Sequence, residues 1–207
     1  HTRCSRDWSS DVCSSDLVGL TCWSFFSSSV TSAGASLVGN PLLNKVYAPR
    51  EVFPIAQVCS SGVDAFASAA LTPLLFLAAG RWPSPTAYWV PVLVLILIVC
   101  TVAISIGVSA VTVYVRDLRS GMPLIMQLGL FLTPILYPIS QVPARFRTVT
   151  MVVNPVAGVV EGLRSCLFYD RAPDLEYTLL AAAASLVYLV GAFLLFKRLE
   201  TGFADVS

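Results

Sequence analysis

Residues 90–115 read VPVLVLILIVCTVAISIGVSAVTVYV, and they lie inside a longer segment, residues 82–115, that contains no charged side chain. A helix needs about 20 apolar residues to cross the roughly 30 Å hydrocarbon layer of a bilayer. Soluble domains of this size do not bury an apolar run of such length. The segment therefore predicts a membrane protein that acts in or across a bilayer, with membrane lipids around it.

The composition of the whole chain supports this prediction. Hydrophobic residues make up 56% and charged residues 12% of the 207 residues, whereas soluble domains contain about 25% charged residues. The formal net charge of +1 argues against a nucleic-acid partner. Six cysteines occur without a CxxC pair, and the only histidine is His1. This pattern argues against a zinc or redox site, and no metal ligands are predicted.

The first seventeen residues, HTRCSRDWSSDVCSSDL, are polar and unlike the rest of the chain. They have no apolar centre of the signal-peptide type. Residues 7–17 resemble the in-frame translation of a common sequencing-adapter oligonucleotide. We therefore expect residues 1–17 to be an adapter-derived artefact, and residues 18–207 to be a membrane domain that lacks its natural N-terminal portion. A genuine disordered tail is the alternative.

Five apolar segments of the remaining chain are long enough to cross a bilayer. They are residues 18–44, 52–80, 82–115, 121–137 and 177–196. The segment 141–176 instead mixes charges with short apolar patches, and Asn154-Pro155 divides it. The sequence thus predicts an all-α integral membrane protein with five transmembrane helices, and two short interfacial helices before the last span.

Basic residues occur mainly on one side of this arrangement. With alternating spans, three clusters fall on the same side: Lys45/Arg50, Arg116/Arg119 and Lys197/Arg198. The positive-inside rule predicts that this side is cytoplasmic. The charged turn of Arg116, Asp117 and Arg119 either anchors helix ends or contacts lipid phosphates or a partner protein.

Five stretches, in order, resemble the permease subunits of type-2 ABC exporters, specifically those that export lipid-linked polysaccharides such as O-antigen, capsule or teichoic acid. They are 40–54 (NPLLNKVYAPREVFP), 114–118 (YVRDL), 133–138 (TPILYP), Asn154-Pro155 with 161–164 (EGLR), and 200–206 (ETGFADV). Together they extend over nearly all of residues 18–207.

The resemblance implies several further properties. That family has six spans, so this chain would carry five of an original six, in a multi-pass protein of the bacterial inner membrane. It implies a homodimer, an ABC ATPase partner and a lipid-linked glycan substrate. An ATPase-coupling segment would include Lys45, Val46, Tyr47, Arg50 and Glu51. Outer interfacial helices near the channel exit would include Asn154, Pro155, Glu161 and Arg164.

The chain has no G-x-x-x-x-G-K-[ST] motif. We therefore expect a transport subunit that is not an enzyme, binds no cofactor directly, and depends on ATP hydrolysed by the partner. Glu161 and Arg164 are spaced i, i+3 and are predicted to form an ion pair on one helix face.

Asp64 is the most informative single residue, because a carboxylate within a span costs about 2.5–3.5 kcal/mol on insertion scales. Asp64 either lines the pathway, or is solvated near the water boundary or caps a neighbouring helix. Aromatic rings could pack against sugars, although such residues also gather at membrane interfaces. The pathway candidates are Asp64, Phe66, Phe131 and Tyr137, with Trp23, Phe25 and Phe26 as further rings.

Three alternative functions follow from the residues. A drug or lipid exporter permease of the same superfamily is the nearest alternative. A secondary transporter or channel would need paired broken helices; Pro123, Pro134 and Pro138 interrupt one span, but we find no matching span elsewhere. A membrane enzyme acting on polyprenyl-phosphate sugars would need acidic catalytic or metal sites, but the chain has no D-x-D or E-x-x-H pattern.

Overall fold

A computed structural model describes residues 2–38, 49–70, 85–135, 144–169 and 171–200. Within these ranges all regular structure is helical: seven α-helices and one short 3-10 helix. Lys45, Val46, Tyr47 and Tyr137 lie outside the described residues, as do the segments 71–84 and 201–207.

The first two helices pack against each other along their length. Helix α1 extends over Thr2–Ser36 and α2 over Val52–Ala69. Helix α1 thus continues through the segment that we predict to be foreign, since no proline interrupts the chain before Pro41. Small residues of α1 allow other helices to approach closely. A Cβ atom at Gly34, for example, would lie 3.2 Å from Val108.

The charge-free segment forms the centre of the bundle. A 3-10 helix, Pro85–Trp89, leads into α3 (Val90–Tyr114), which has eleven buried residues. The last helix is α7 (Leu175–Glu200). By length and composition, two helical segments of the described chain can cross a membrane: Thr86–Tyr114 with 29 residues and Leu175–Glu200 with 26. A third is added if the bent pair described below is one span.

The predicted charged turn after α3 is shorter than expected: the chain turns at Val115 and Arg116, and the charged residues that follow are helical. Helix α4 extends over Asp117–Leu132, so Asp117 and Arg119 belong to its first turn. An aspartate is favourable there because it faces the positive end of the helix dipole. Pro123, which we expected to interrupt this span, lies inside the continuous helix.

Asn154-Pro155 divides the next segment as predicted. Helix α5 (Ala144–Val153) ends at Asn154, which is not helical, and α6 (Pro155–Phe168) begins with Pro155, a favourable first helical residue. The two helices meet at 110°. We expected both to lie in or dip into the interface, but ten of the fourteen residues of α6 are buried. Glycines allow this insertion: a Cβ at Gly158 would lie 3.1 Å from Ala181.

The main core joins α1, α3 and α6. It contains Trp23 and Phe26 of α1, Leu93 and Cys100 of α3, and Val160 of α6, all buried. Helix α2 contributes Val58 and α4 contributes Met122. Large apolar side chains of α4 and α7 remain exposed, as expected for helices that contact lipid. Helix α1 therefore lies between α2 and α4, and its remaining face is open.

Candidate functional site

The open face of α1 is polar. Hydroxyl-bearing residues recur on it at helical spacing: Thr21, Ser24, Ser27, Ser28, Thr31 and Ser32. Ser24 and Ser28 are exposed, and the other four are partly buried. We call these six residues the hydroxyl stripe. The Thr21 hydroxyl donates to the backbone carbonyl of Leu17 at 2.8 Å. Hydroxyl groups in membrane helices can form further hydrogen bonds where they face water or other helices, so such a face is favoured there over lipid.

One groove lies between the stripe and α2. It has a volume of about 250 Å³, and its polar lining comprises Thr21, Ser24, Ser28, Ser61, Asp64 and Ser68. Asp64 is exposed within the protomer and lies about 18 Å along α2 from Val52, at 1.5 Å per residue. The carboxylate of Asp64 therefore shares a groove with several hydroxyl groups.

A second groove lies on the other side of the stripe, between α1 and α4. Its volume is about 560 Å³, and Ser24, Ser27, Thr31 and Gln127 are among its lining residues. Ser24 and Ser28 line both grooves. The two grooves thus form one continuous surface along α1, flanked by α2 and α4, in which hydroxyl groups alternate with apolar side chains such as Leu20.

Two other predicted pathway residues, Phe66 and Phe131, do not line these grooves. Phe66 is 78% exposed and Phe131 is 62% exposed, and both project elsewhere from α2 and α4. Side chains two positions apart in a helix point in directions about 200° apart around the axis. The Phe66 side chain therefore cannot point in the same direction as that of Asp64. Trp23, Phe25 and Phe26 are buried in the core, and two of these rings also line the grooves: Phe25 the α1–α2 groove and Trp23 the α1–α4 groove. Tyr137 lies outside the described residues.

Sequence reasoning missed the hydroxyl stripe as a surface. The serines of residues 18–44 suggested close helix packing, and Ser29, which is fully buried, does pack in this way. Ser24 and Ser28, however, face the grooves. Their spacing of three or four residues, with Thr21 and Thr31, is the signal that could have separated the two groups.

One end of the bundle collects charged residues from distant parts of the chain. Lys197 of α7 forms ion pairs with Glu51 (2.5 Å) and Glu200 (3.1 Å). The hydroxyl of Tyr114, at the end of α3, donates a hydrogen bond to the carbonyl oxygen of Leu199 (2.8 Å). The clusters at Arg50, Arg116 and Lys197 therefore lie at the same end, as the sequence predicts.

The environment of Glu51 is electrostatically favourable. A hydrogen bond from Lys197 holds the pKa of the Glu51 carboxyl below its ordinary value of 4.5. Beneath this ion pair lies a small apolar cluster of Leu37, Ile106, Ala110 and Phe196. The residue that ends the predicted coupling segment is thus connected directly to the end of α7.

The opposite end carries Asn154 and Arg164. The amide of Asn154 donates to the hydroxyl of Thr133, and Nη2 of Arg164 donates to the backbone carbonyl of Ile135. Arg164 is 5% exposed and also pairs with Asp16 at 3.1 Å. The direct contacts of the Arg164 guanidinium are with Ile135 and Asp16, whereas Glu161 interacts with its charge only electrostatically.

The chain was compared with known proteins. The family described as ABC-2 type transporter matches residues 16–168, about three quarters of the chain. This chain belongs to the ABC-2 type transporter family. The sequence-based recognition of a type-2 ABC exporter permease is thereby confirmed.

The curated relatives of this ABC-2 chain are similar over most of its length. It is 32% identical over 191 residues to the O-antigen export system permease protein RfbA of Myxococcus xanthus, covering 91% of this chain and 73% of the relative. It is 26% identical over 192 residues to the RfbA protein of Klebsiella pneumoniae, covering 92% and 73%.

Proposed function

We propose that this chain is the permease subunit of an ATP-driven exporter that moves a lipid-linked polysaccharide across the bacterial inner membrane. The observation that carries the proposal is the 32% identity, over 91% of the chain, to an O-antigen export system permease. The five ordered sequence stretches point to the same substrate class over the drug and small-lipid exporters.

The hydroxyl stripe and Asp64 support a pathway on the open face of α1. A second copy of the chain, placed against this face, would enclose the two grooves between the subunits. The groove that contains Asp64 would then be shielded from lipid, which avoids the cost of a carboxylate in hydrocarbon. Hydroxyl and carboxylate groups can exchange hydrogen bonds with a sugar chain as it passes.

Energy would come from a separate ATPase subunit. At the cytoplasmic end, that subunit would contact and displace the segment that contains Arg50 and Glu51. The ion pair of Glu51 with Lys197 supports this assignment, because it offers a direct connection from the segment to α7. In this proposal the five spans of residues 18–207, and a sixth preceding them, form each half of the dimer.

The test is reconstitution with the ATPase encoded beside the full gene. The permease and ATPase should purify as one complex, and a strain lacking its own exporter should regain cell-surface polysaccharide only when both are expressed. A catalytically dead ATPase is the control, and it should assemble without export. If the complex assembled stably but exported a drug or a short lipid and no glycan, the proposed substrate class would be wrong. Absence of any complex would refute the ATP-driven role.

A further inference from the structure

The junction of the bent helix pair and its second helix, α6, are both hydrogen-bonded to the residues that directly follow α4. Asn154, at the bend between α5 and α6, donates to the hydroxyl of Thr133. That hydroxyl donates in turn to the carbonyl oxygen of Gly129 at 2.8 Å, inside α4. Arg164, three turns into α6, donates to the carbonyl of Ile135. Two side chains, ten residues apart, thus hold the same helix end.

These bonds lie in a setting that makes them hard to replace. Thr133 is 1% exposed and Ile135 is fully buried, so water has no access to their polar atoms. The guanidinium of Arg164 is a charged donor to the Ile135 carbonyl, three residues past the end of α4, and charge-assisted hydrogen bonds are stronger than neutral ones. Breaking either bond would leave a buried donor or acceptor unpaired, which is costly.

Helix α4 connects this end to the charged end of the bundle. It begins at Asp117, beside Arg116 and Arg119, and ends one residue before Thr133. Arg164 also contacts Asp16, but Asp16 belongs to the segment that we predict to be foreign. The inference therefore rests on two hydrogen bonds: that of Arg164 to the Ile135 carbonyl and that of Asn154 to the Thr133 hydroxyl.

We infer that Asn154 and Arg164 are positioning residues that make the bent pair α5–α6 move as one body with the outer end of α4. A movement of α4 that starts at its charged end would then move the bent pair by the same amount. This inference rests on the proposed function, since it concerns how the exporter passes motion from its ATPase side to its exit side.

The first experiment measures ATP hydrolysis and glycan export together in the full permease–ATPase complex. Asn154→Ala and Arg164→Gln should retain the hydrolysis rate per complex but lower export per ATP by roughly 2- to 30-fold, the range typical of substitutions that alter coupling. Their neighbours Val153→Ala and Ser165→Ala are matched controls and should leave the ratio unchanged. A substitution that only destabilised the protein would lower ATP hydrolysis and glycan export equally, in proportion to the amount of folded complex. That result, or an unchanged ratio in both variants, would overturn the inference.

The second experiment needs no glycan. Spin labels at Leu132→Cys and Val153→Cys occupy two exposed positions, one on each side of the tether. In the otherwise native complex, with its original cysteines replaced, their distance should be the same without nucleotide and with trapped ATP. Adding Asn154→Ala and Arg164→Gln should make the distance change or broaden on ATP binding. A distance that already changes with the tether intact would refute rigid movement, even if the complex proved to export a different substrate.

Discussion

Lys197, near the end of the last helix, forms an ion pair with Glu51, the residue immediately before α2. The two residues are far apart in sequence, and their contact connects the predicted coupling segment to α7. Lys197 also approaches Glu200 at 3.1 Å and the ring of Phe193 at 5.7 Å. The ammonium group of Lys197 therefore lies between two carboxylates, one from the start of α2 and one from its own helix.

The ion pair makes a measurable contribution to the fold. Lys197→Met and Glu51→Gln should each lower the Tm of the detergent-solubilised protein slightly, by about 1–2 °C, because the pair is partly exposed. The double variant should lose about as much as Lys197→Met alone, because that change also removes the contact with Glu200, and a double-mutant cycle measures the shared part. The exchange of charges, Glu51→Lys with Lys197→Glu, should recover most of the loss. Additive losses would show that the residues do not interact.

Stability should depend on the protonation of Glu51. A carboxyl whose pKa is lowered by folding stabilises the native state where it is ionised. That contribution is lost as the pH falls below the ordinary value of 4.5 and through the lowered native value. The difference in Tm between the native chain and Glu51→Gln should therefore be constant above pH 4.5 and shrink below it. In a Lys197→Met background the difference should be small throughout, and a difference that grew in acid would contradict the assignment.

Asp64 provides a test of the proposed pathway. Asp64→Leu should lower glycan export several-fold, because it removes the carboxylate from the α1–α2 groove, while Asp64→Asn should have a smaller effect. Neither change should raise the yield of folded protein, since a residue facing water carries no insertion penalty to relieve. Surface-glycan staining and immunoblotting measure the two quantities. Val63→Ala is the control, as Val63 is 69% exposed and does not line the groove. A higher folded yield with unchanged export would place Asp64 against lipid.

The burial of α6 depends on close packing at Gly162. A Cβ atom there would lie 2.9 Å from Leu93, a fully buried side chain, and 3.5 Å from Pro173. Gly162→Ala should therefore destabilise the protein by about 1–3 kcal/mol, as overpacked cores do. Gly191→Ala is the matched control, because nothing lies within 4 Å of its added Cβ. Thermal unfolding in detergent distinguishes the two, and equal Tm values would show that α6 is not inserted as described.

Charge reversal at Arg50 tests the coupling segment. Arg50→Glu should weaken recovery of the ATPase with the permease by about tenfold or more, since like charges across a docking surface are strongly unfavourable. The same reversal at Arg147, on the opposite side of the membrane by the predicted topology, should leave recovery unchanged. Pull-down from solubilised membranes measures both. Equal recovery and unchanged export in the Arg50 variant would remove this segment from the docking surface.

Some features were predictable because they depend on local sequence. Proline disfavours a helical conformation at the residue before it, and Asn154 is indeed not helical, so the division at Asn154-Pro155 follows from the chemistry of the chain. Pro123, which lies inside α4, shows that this preference can be overridden. The start of α4 was less predictable, since Asp117 and Arg119 are compatible with either a turn or a helical first turn. The partner of Arg164 was not predictable at all, because spacing within α6 suggested Glu161 whereas the end of α4 is brought there only by folding.

The apolar runs and the ordered stretches of the chain determined by themselves that it enters a membrane, and to which family it belongs, because lipid solvation depends on composition along each segment. Tertiary structure decided which serines of α1 are packed and which are open, that Asp64 shares a groove with them, and that α6 is buried. Those outcomes depend on which helix faces meet, and helices distant in sequence select those faces by packing against one another.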